Sequence, residues 1–396
     1  MKPSTEFPST PSAADFRQRL VGGLIDGAFQ TAVHNTDPLR FPAGPFKRLR
    51  RELRQRWRAG LGRLGLARRG KVGESQYLQY VLANLDGFER TFTRLGDGAS
   101  RETMLAVLRF RALGAKHVKL PANTPGYWKT VESVDREHLV ERDTGSAGDL
   151  LGGLNRYRVD GSGRAHGDGG AIEADLHPLN VLNTFLFEHY AYRVGTKQIC
   201  ARRGDVVVDG GGCWGDTALY FADRVGPTGR VFVFEFEPSN LEVLRANLER
   251  NPTLAERVTV VERALWDESD LELSFGAGDG AATRVSAGEG ASSGATVLTL
   301  TIDDLVEREG LAGVDWIKLD VEGAELAALR GARQTLARSQ PRLAISAYHK
   351  PEDLVTLPDF VAQVMPDHEQ FLDHITIHAE ETVLFARPRV EHSREI

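Results

Sequence analysis

From Gly204 onward the chain alternates short apolar runs with amphipathic stretches. Residues 206–208, 231–234, 258–261, 316–319 and 343–347 are nearly continuous apolar segments bounded by turn residues, as expected of strands buried on both faces. Between them, residues 216–225, the stretch after Pro238 bearing Leu241, Leu244 and Leu248, and residues 324–336 repeat apolar positions every three or four residues, which predicts helices. Residues 371–377 and 382–386 predict an antiparallel pair at the end. The class that follows is α/β, with a mostly parallel twisted sheet covered by helices and C-terminal antiparallel strands.

The earlier half is less regular. Residues 1–45 are dotted with proline and hold one periodic patch, 16–29. Residues 77–92 and 101–113 predict helices, while 117–120, 138–140 and 157–159 read as short strands. Residues 160–163, Asp-Gly-Ser-Gly, form a turn by composition. Residues 176–192 predict a further helix. The organisation expected is a basic N-terminal region at 1–74, a smaller α+β domain at 75–195 and the main domain at 196–396. His117 and His138 read as ordinary strand residues. Residues 276–294 hold six glycines, which suits either a lid or a surface insertion.

Charge changes this picture in one place. The formal net charge is -6, which argues against a dedicated nucleic-acid binder. Between Lys47 and Lys71, however, stand eleven Lys or Arg residues and a single acid, Glu52. That stretch is either a solvated arm docking on the protein's own acidic surface or an element for anionic membrane or RNA. Two cysteines, Cys200 and Cys213, offer no disulfide framework. No apolar run approaches the ~20 residues that span a bilayer, and no basic-then-apolar leader opens the chain, so a cytoplasmic location is expected.

The chemistry concentrates in VVVDGGGCWGDTA, residues 206–218. A strand ends in Asp209, a glycine turn follows through Gly211 and Gly215, and Asp216 opens a helix. Such a turn lets a cofactor lie against bare backbone at a helix N-terminus. Glu235 stands 26 residues past Asp209 at the end of the next strand, where a carboxylate can accept two ribose hydroxyls. The turn is no clean G-x-G-x-x-G, and the bulk of Trp214 suits a cofactor without phosphates, such as S-adenosylmethionine, better than a nicotinamide dinucleotide. The second cluster is VDWIKLDVEGAELAALRGA, residues 314–332. Lys318, Asp320 and Glu322 emerge at a strand's C-terminal end, the edge where open parallel sheets bind ligands, and His349 follows the next strand. These four are the candidate catalytic residues. The neutral imidazole of His349 would serve as base; alternatively Asp320, Glu322 and His349 would hold a divalent cation. Glu322 and Glu325 could instead only cap the helix.

The chain resembles the FkbM family of S-adenosylmethionine-dependent methyltransferases, through VVVDGGGCWGDTALYFA, FVFEFEPSNLEVLRANL, VERALWD, LTIDDL and above all DWIKLDVEGAELAALRGA, in that order, with YHKPEDL beyond. The resemblance covers about residues 200–387. It implies a Rossmann-like methyltransferase fold in which Asp209, Gly211, Gly215, Glu235 and Ala264 line the cofactor and Asp320 lies near its methionine end. It also implies an O-methyltransferase whose partner is a hydroxyl-bearing small molecule or glycan, commonly a sugar. Many relatives carry Ala-Asn where this chain has Gly212 and Cys213. A non-catalytic cofactor-binding scaffold and a nicotinamide oxidoreductase are the competing readings, and a homo-oligomer is the expected assembly.

Overall fold

The structure, a computed structural model, describes residues 13–30, 34–40, 73–142, 153–160, 170–275, 285–286 and 295–389. Upstream of the main sheet lie α1 (Ala13–Ala28), α2 (Glu74–Ala83), α3 (Leu85–Arg94), α4 (Gly98–Leu113), α5 (Pro125–His138), then β1 (Leu139–Glu141), β2 (Asn155–Val159), β3 (Ile172–Leu176), β4 (Tyr192–Val194) and β5 (Lys197–Ile199). The repeating part follows with β6 (Val206–Gly210), α6 (Asp216–Val225), β7 (Arg230–Phe234), α7 (Pro238–Arg250) and β8 (Val258–Val261). A side sheet comes next: β9 (Ala264–Leu265), β10 (Glu272–Phe275), β11 (Val285–Ser286) and β12 (Ala295–Leu300). The chain returns through α8 (Ile302–Arg308), β13 (Trp316–Leu319), α9 (Glu325–Arg330), α10 (Arg333–Ser339), β14 (Arg342–Ser346), α11 (Asp353–Val364), β15 (His368–His374) and β16 (Thr382–Pro388).

Seven strands form the main sheet in the order β15-β16-β14-β13-β6-β7-β8. The five from β14 to β8 run parallel, and β16 is antiparallel to both β14 and β15. From β6 the chain winds out to β8, then crosses back to β13, so the strand order reverses between β6 and β13. A crevice opens there at the strands' C-terminal ends, where doubly wound folds place their ligands. This is the Rossmann-like methyltransferase arrangement that the apolar runs and the resemblance implied.

Strand alternation sends successive side chains to opposite faces. Val208, Ile317 and Leu319 enter one core together with Phe16, Phe88, Phe92 and Leu108 from the N-terminal helices. Val207, Val231 and Trp316 enter the other, with Tyr157, Ile172 and Leu182. The described residues of 75–195 therefore divide between the two faces of the main sheet. A consequence is visible in α6, all ten of whose residues are buried, Asp223 and Arg224 included.

Several local expectations differ from what is found. Residues 117–120 form no strand: a turn over 115–117, closed by Val118 N–H donating to the Gly114 carbonyl, runs on into irregular chain. His138 ends helix α5 instead of opening a strand. That helix has a start signal in Thr124, whose hydroxyl caps Tyr127 N–H, followed by Pro125 at the first position. The helix expected over 77–92 breaks at Asn84, and that over 324–336 breaks at Gly331–Ala332. Of residues 176–192 only 178–186 are helical, the last six as a π-helix, while Leu176 ends β3 and Tyr192 opens β4. The basic stretch 47–71 lies outside the described residues, as does all of 276–294 except 285–286 and all of 160–163 except Asp160. Among the described residues no helix is long and apolar enough to cross a membrane.

Candidate functional site

Strand β6 ends against the turn that follows it, and the turn's shape is imposed by crowding. Gly211 has φ +83, and a Cβ there would stand 1.9 Å from the Asp320 carbonyl oxygen. Only glycine tolerates that approach. At 212, where relatives carry Ala, a Cβ would meet Val233 Cγ2 at 2.2 Å, so glycine suits the packing of this chain. Cys213 itself adopts φ +45 and turns its N–H onto Glu235 Oε2 at 2.8 Å. The Asn amide of relatives is thus absent, while the backbone at that position serves the acid beside it.

Glu235 is held by its own loop. Phe236 N–H and Glu237 N–H donate to Oε1 at 2.7 and 2.9 Å, and Asn240 Nδ2 approaches Oε2 at 3.4 Å. Burial pushes its carboxyl above the ordinary glutamate value, opposed by these backbone donors. The result is a fixed acceptor at the end of β7.

Behind the turn lies an ion pair that the sequence left unseen. Lys318 Nζ, 1% exposed, donates to the Gly210 and Gly211 carbonyls at 2.9 and 2.6 Å and sits 2.9 Å from Asp209 Oδ1. Burial opposes the lysine charge, but Asp209 and Asp320 outweigh it and hold its pKa above normal. Asp209 Oδ2 also accepts from Thr217 Oγ1 at 2.6 Å. Asp209 is completely buried and does not line the cavity, and neither does Gly215. Asp209 is therefore committed to Lys318 and Thr217 instead of a cofactor ammonium. Lys318 in turn has no proton to lend, because all its donors hold the turn together.

The crevice opens into a cavity of about 1030 Å³ lined by Gly211, Asp216, Glu235, Ala264, Lys318, Asp320, Glu322 and His349, among others. Ligand pockets run to about 300–1,000 Å³, so this one has room for a cofactor and a second molecule. Asp216 accepts from Thr184 Oγ1 at 2.5 Å, and burial raises its pKa. Asp320 accepts from two tyrosines, Tyr190 at 2.8 Å and Tyr348 at 3.1 Å, both kept protonated by burial. Burial works against the Asp320 charge, but His349 and Lys318 hold the carboxyl below its usual range.

His349 differs from expectation. Its side chain is 3% exposed, with Nδ1 2.8 Å from Glu325 Oε1 and Nε2 3.4 Å from Asp320 and 3.7 Å from Glu322. Burial alone would lower its pKa, yet Glu322, Glu325 and Asp320 together push it up to about 11. It is an imidazolium at neutral pH, so the expected neutral base is replaced by a cationic clamp among carboxylates. Ligand atoms of Asp320, Glu325 and His349 lie within 4.8 Å of one another, a grouping that could hold a divalent cation. The two ring nitrogens face different acids, so a single cation would take only one of them. Glu325, read from sequence as a possible cap, makes no cap bond to its own helix: it accepts from Val321 and Gly323 N–H of the preceding turn at 2.9 and 3.3 Å. It also sets the orientation of His349. The signal for it was its spacing three residues after Glu322. Tyr190 and Tyr348 left no such signal.

The matched family model is described as the methyltransferase FkbM domain and spans residues 198–374. Through residues 198–374, just under half of its length, the chain is similar to the FkbM methyltransferases. Among solved structures, an FkbM methyltransferase from Methylobacillus flagellatus KT is 22% identical over 83% of this chain and 65% of its own, with a TM-score of 0.51. The chain thus spans 65% of that protein's length, and the likeness bears on the fold. A putative rRNA-methylase from Clostridium thermocellum (16% identity, 48% of this chain, 89% of that one, TM-score 0.32) and an O-methyltransferase from Bacillus cereus in complex with SAH (13%, 53%, 80%, 0.32) are more distant and carry no weight here. No curated protein matches the chain. The cofactor of the FkbM domain is S-adenosylmethionine, and the residues present fit it. The bare backbone at Gly211 leaves room at the turn, and Glu235 and Asp320, which line the same cavity, would hold the ribose and the methionine ammonium.

Proposed function

We propose that the chain is an S-adenosylmethionine-dependent O-methyltransferase acting on a hydroxyl of a sugar or related polyhydroxylated small molecule. The observation that carries this reading is the convergence of the glycine turn, Glu235 and Asp320 on one cavity at the strand-order reversal, with volume left over for an acceptor. When bound, the cofactor supplies an electrophilic methyl group on a sulfonium. The protein's share is to align an acceptor oxygen with that methyl and to take up the hydroxyl proton. Glu322 suits proton uptake: it lines the cavity, its side chain is 22% exposed, and its φ of +54 marks a backbone held in a costly conformation at a functional position. Asp320, tied by two tyrosines, serves as a fixed anchor, and His349 keeps the neighbouring carboxylates in place. The expected homo-oligomer and the contact of the basic arm with anionic surfaces are kept as further proposals.

The test is transfer of a labelled methyl group from S-adenosylmethionine to cell-extract acceptors, with mass spectrometry of the product. An O-methylated polyol is the expected product. An N- or C-methylated product, or binding of the cofactor with no transfer to any acceptor, would replace this reading with another methyl transfer or with the scaffold reading.

A further inference from the structure

The cavity's two ends have different origins. The donor end lies within residues 198–374, the stretch matched by the family. A second stretch of wall is supplied by Arg40, Glu74, Arg111 and His189 ahead of that stretch, and by Glu380 and Glu381 behind it. Two polar pairs tie these segments to one another. Arg40 Nη2 lies 3.0 Å from Glu380 Oε2, and His189 Nδ1 lies 3.0 Å from Glu381 Oε2. Glu381 also holds φ +74, a left-handed conformation that costs a non-glycine residue on the order of 1–3 kcal/mol. Cys213, Glu322 and Glu381, three of the six described non-glycine residues with positive φ, line this one cavity. Strain gathered at both ends is an argument, independent of the family match, that the far wall also has a binding task.

We infer that this wall is the acceptor subsite and that its matched pairs select an uncharged polyhydroxylated acceptor over an anionic or cationic one. The inference rests on the methyl-transfer reading above and adds where the acceptor lies and what charge it bears. A hydroxyl can donate to Glu380 or Glu381 and accept from Arg40 while both pairs stay intact. Arg111 Nη2 is engaged, donating to the Ala347 carbonyl at 3.2 Å and to Thr382 Oγ1 at 3.0 Å. A phosphate or uronate bound at Arg40 would have to draw it away from Glu380 and meet Glu74 and Glu381 as like charges. A cationic acceptor would have to compete with Arg40 for Glu380. In either case a partner is left unpaired in a half-buried wall, which costs more than the new contact returns.

The experiment uses the full chain with labelled S-adenosylmethionine and cell-extract small molecules separated by ion exchange into neutral, anionic and cationic fractions. Label is expected in the neutral fraction. Label mainly in a charged fraction would overturn this inference and leave the methyltransferase reading standing. Label in no fraction would overturn both. Arg40→Glu and Glu380→Arg are each expected to raise the apparent KM for the neutral fraction about tenfold, with cofactor affinity by calorimetry within twofold. The double swap restores opposite charges and should recover most of that loss. Unchanged KM in the single variants, or a parallel loss of cofactor affinity, would also overturn the assignment, and melting curves show whether each variant is folded.

Discussion

The donor half and the proposed acceptor half of the cavity are built on different principles. At the donor end, short-range crowding dictates nearly everything: Gly211 against the Asp320 carbonyl, Cys213 N–H on Glu235, and Lys318 bonded to two carbonyls of the same turn. At the acceptor end, segments far apart in sequence meet through side-chain pairs such as Arg40–Glu380 and His189–Glu381. Backbone crowding leaves few substitutions open, whereas paired side chains can be exchanged without refolding the sheet.

The sharpest way to break the comparison is at Lys318. Lys318→Met leaves Asp209 charged and buried without its partner, and removing one member of a buried pair costs about 3–5 kcal/mol. Denaturant unfolding should show that loss, with Asp209→Asn added to Lys318→Met recovering part of it. A single variant as stable as the parent would show that the pair does not hold the turn. Next in size is Glu235→Ala, expected to weaken S-adenosylmethionine about a hundredfold in calorimetry, about 2.8 kcal/mol, with a fall in thermal stability besides, because the Cys213, Phe236 and Glu237 N–H groups lose their acceptor. Equal losses of affinity from Glu235→Ala and from the Arg40 or Glu380 variants would erase the distinction between the halves.

The smallest effect concerns His374 in β15, buried behind Thr382. Burial, with Arg111 and His189 nearby, lowers its pKa to about 3 from the usual 6.5. The unfolded chain therefore takes up a proton that the folded chain refuses. The stability from this neutral histidine is complete above pH ~6.5 and is lost progressively as pH falls toward ~3. His374→Asn should melt below the parent at pH 7.5, and the gap should narrow by a few degrees at pH 5. A gap that stays constant between those two pH values would refute it.

Legibility followed the same division. Strands β6, β7, β8, β13 and β14 were readable because burial on both faces leaves nearly uninterrupted apolar runs. Helix α11 was missed because Pro358 sits inside it, and β12 because its alternating Thr-Val-Leu-Thr-Leu follows directly on the glycine-rich stretch. In the site, Glu235 and Asp320 could be named from their places at strand ends. The commitment of Asp209 to Lys318 could not, because pairing between β6 and β13 sets it, and adjacency of strands about 110 residues apart is not written in local pattern. The charge of His349 was equally hidden, since it depends on three acids converging from the β13–α9 turn and the first turn of α9.

Helix α6 has a practical corollary for anyone wishing to work with the cofactor-binding half alone. With all ten of its residues buried, partly beneath β3 and the π-helix at 181–186, it has no face adapted to water. A chain trimmed to begin at residue 198 would uncover Leu219, Tyr220 and Val225 at once, and such a fragment is expected to aggregate on expression although the family match lies wholly within it.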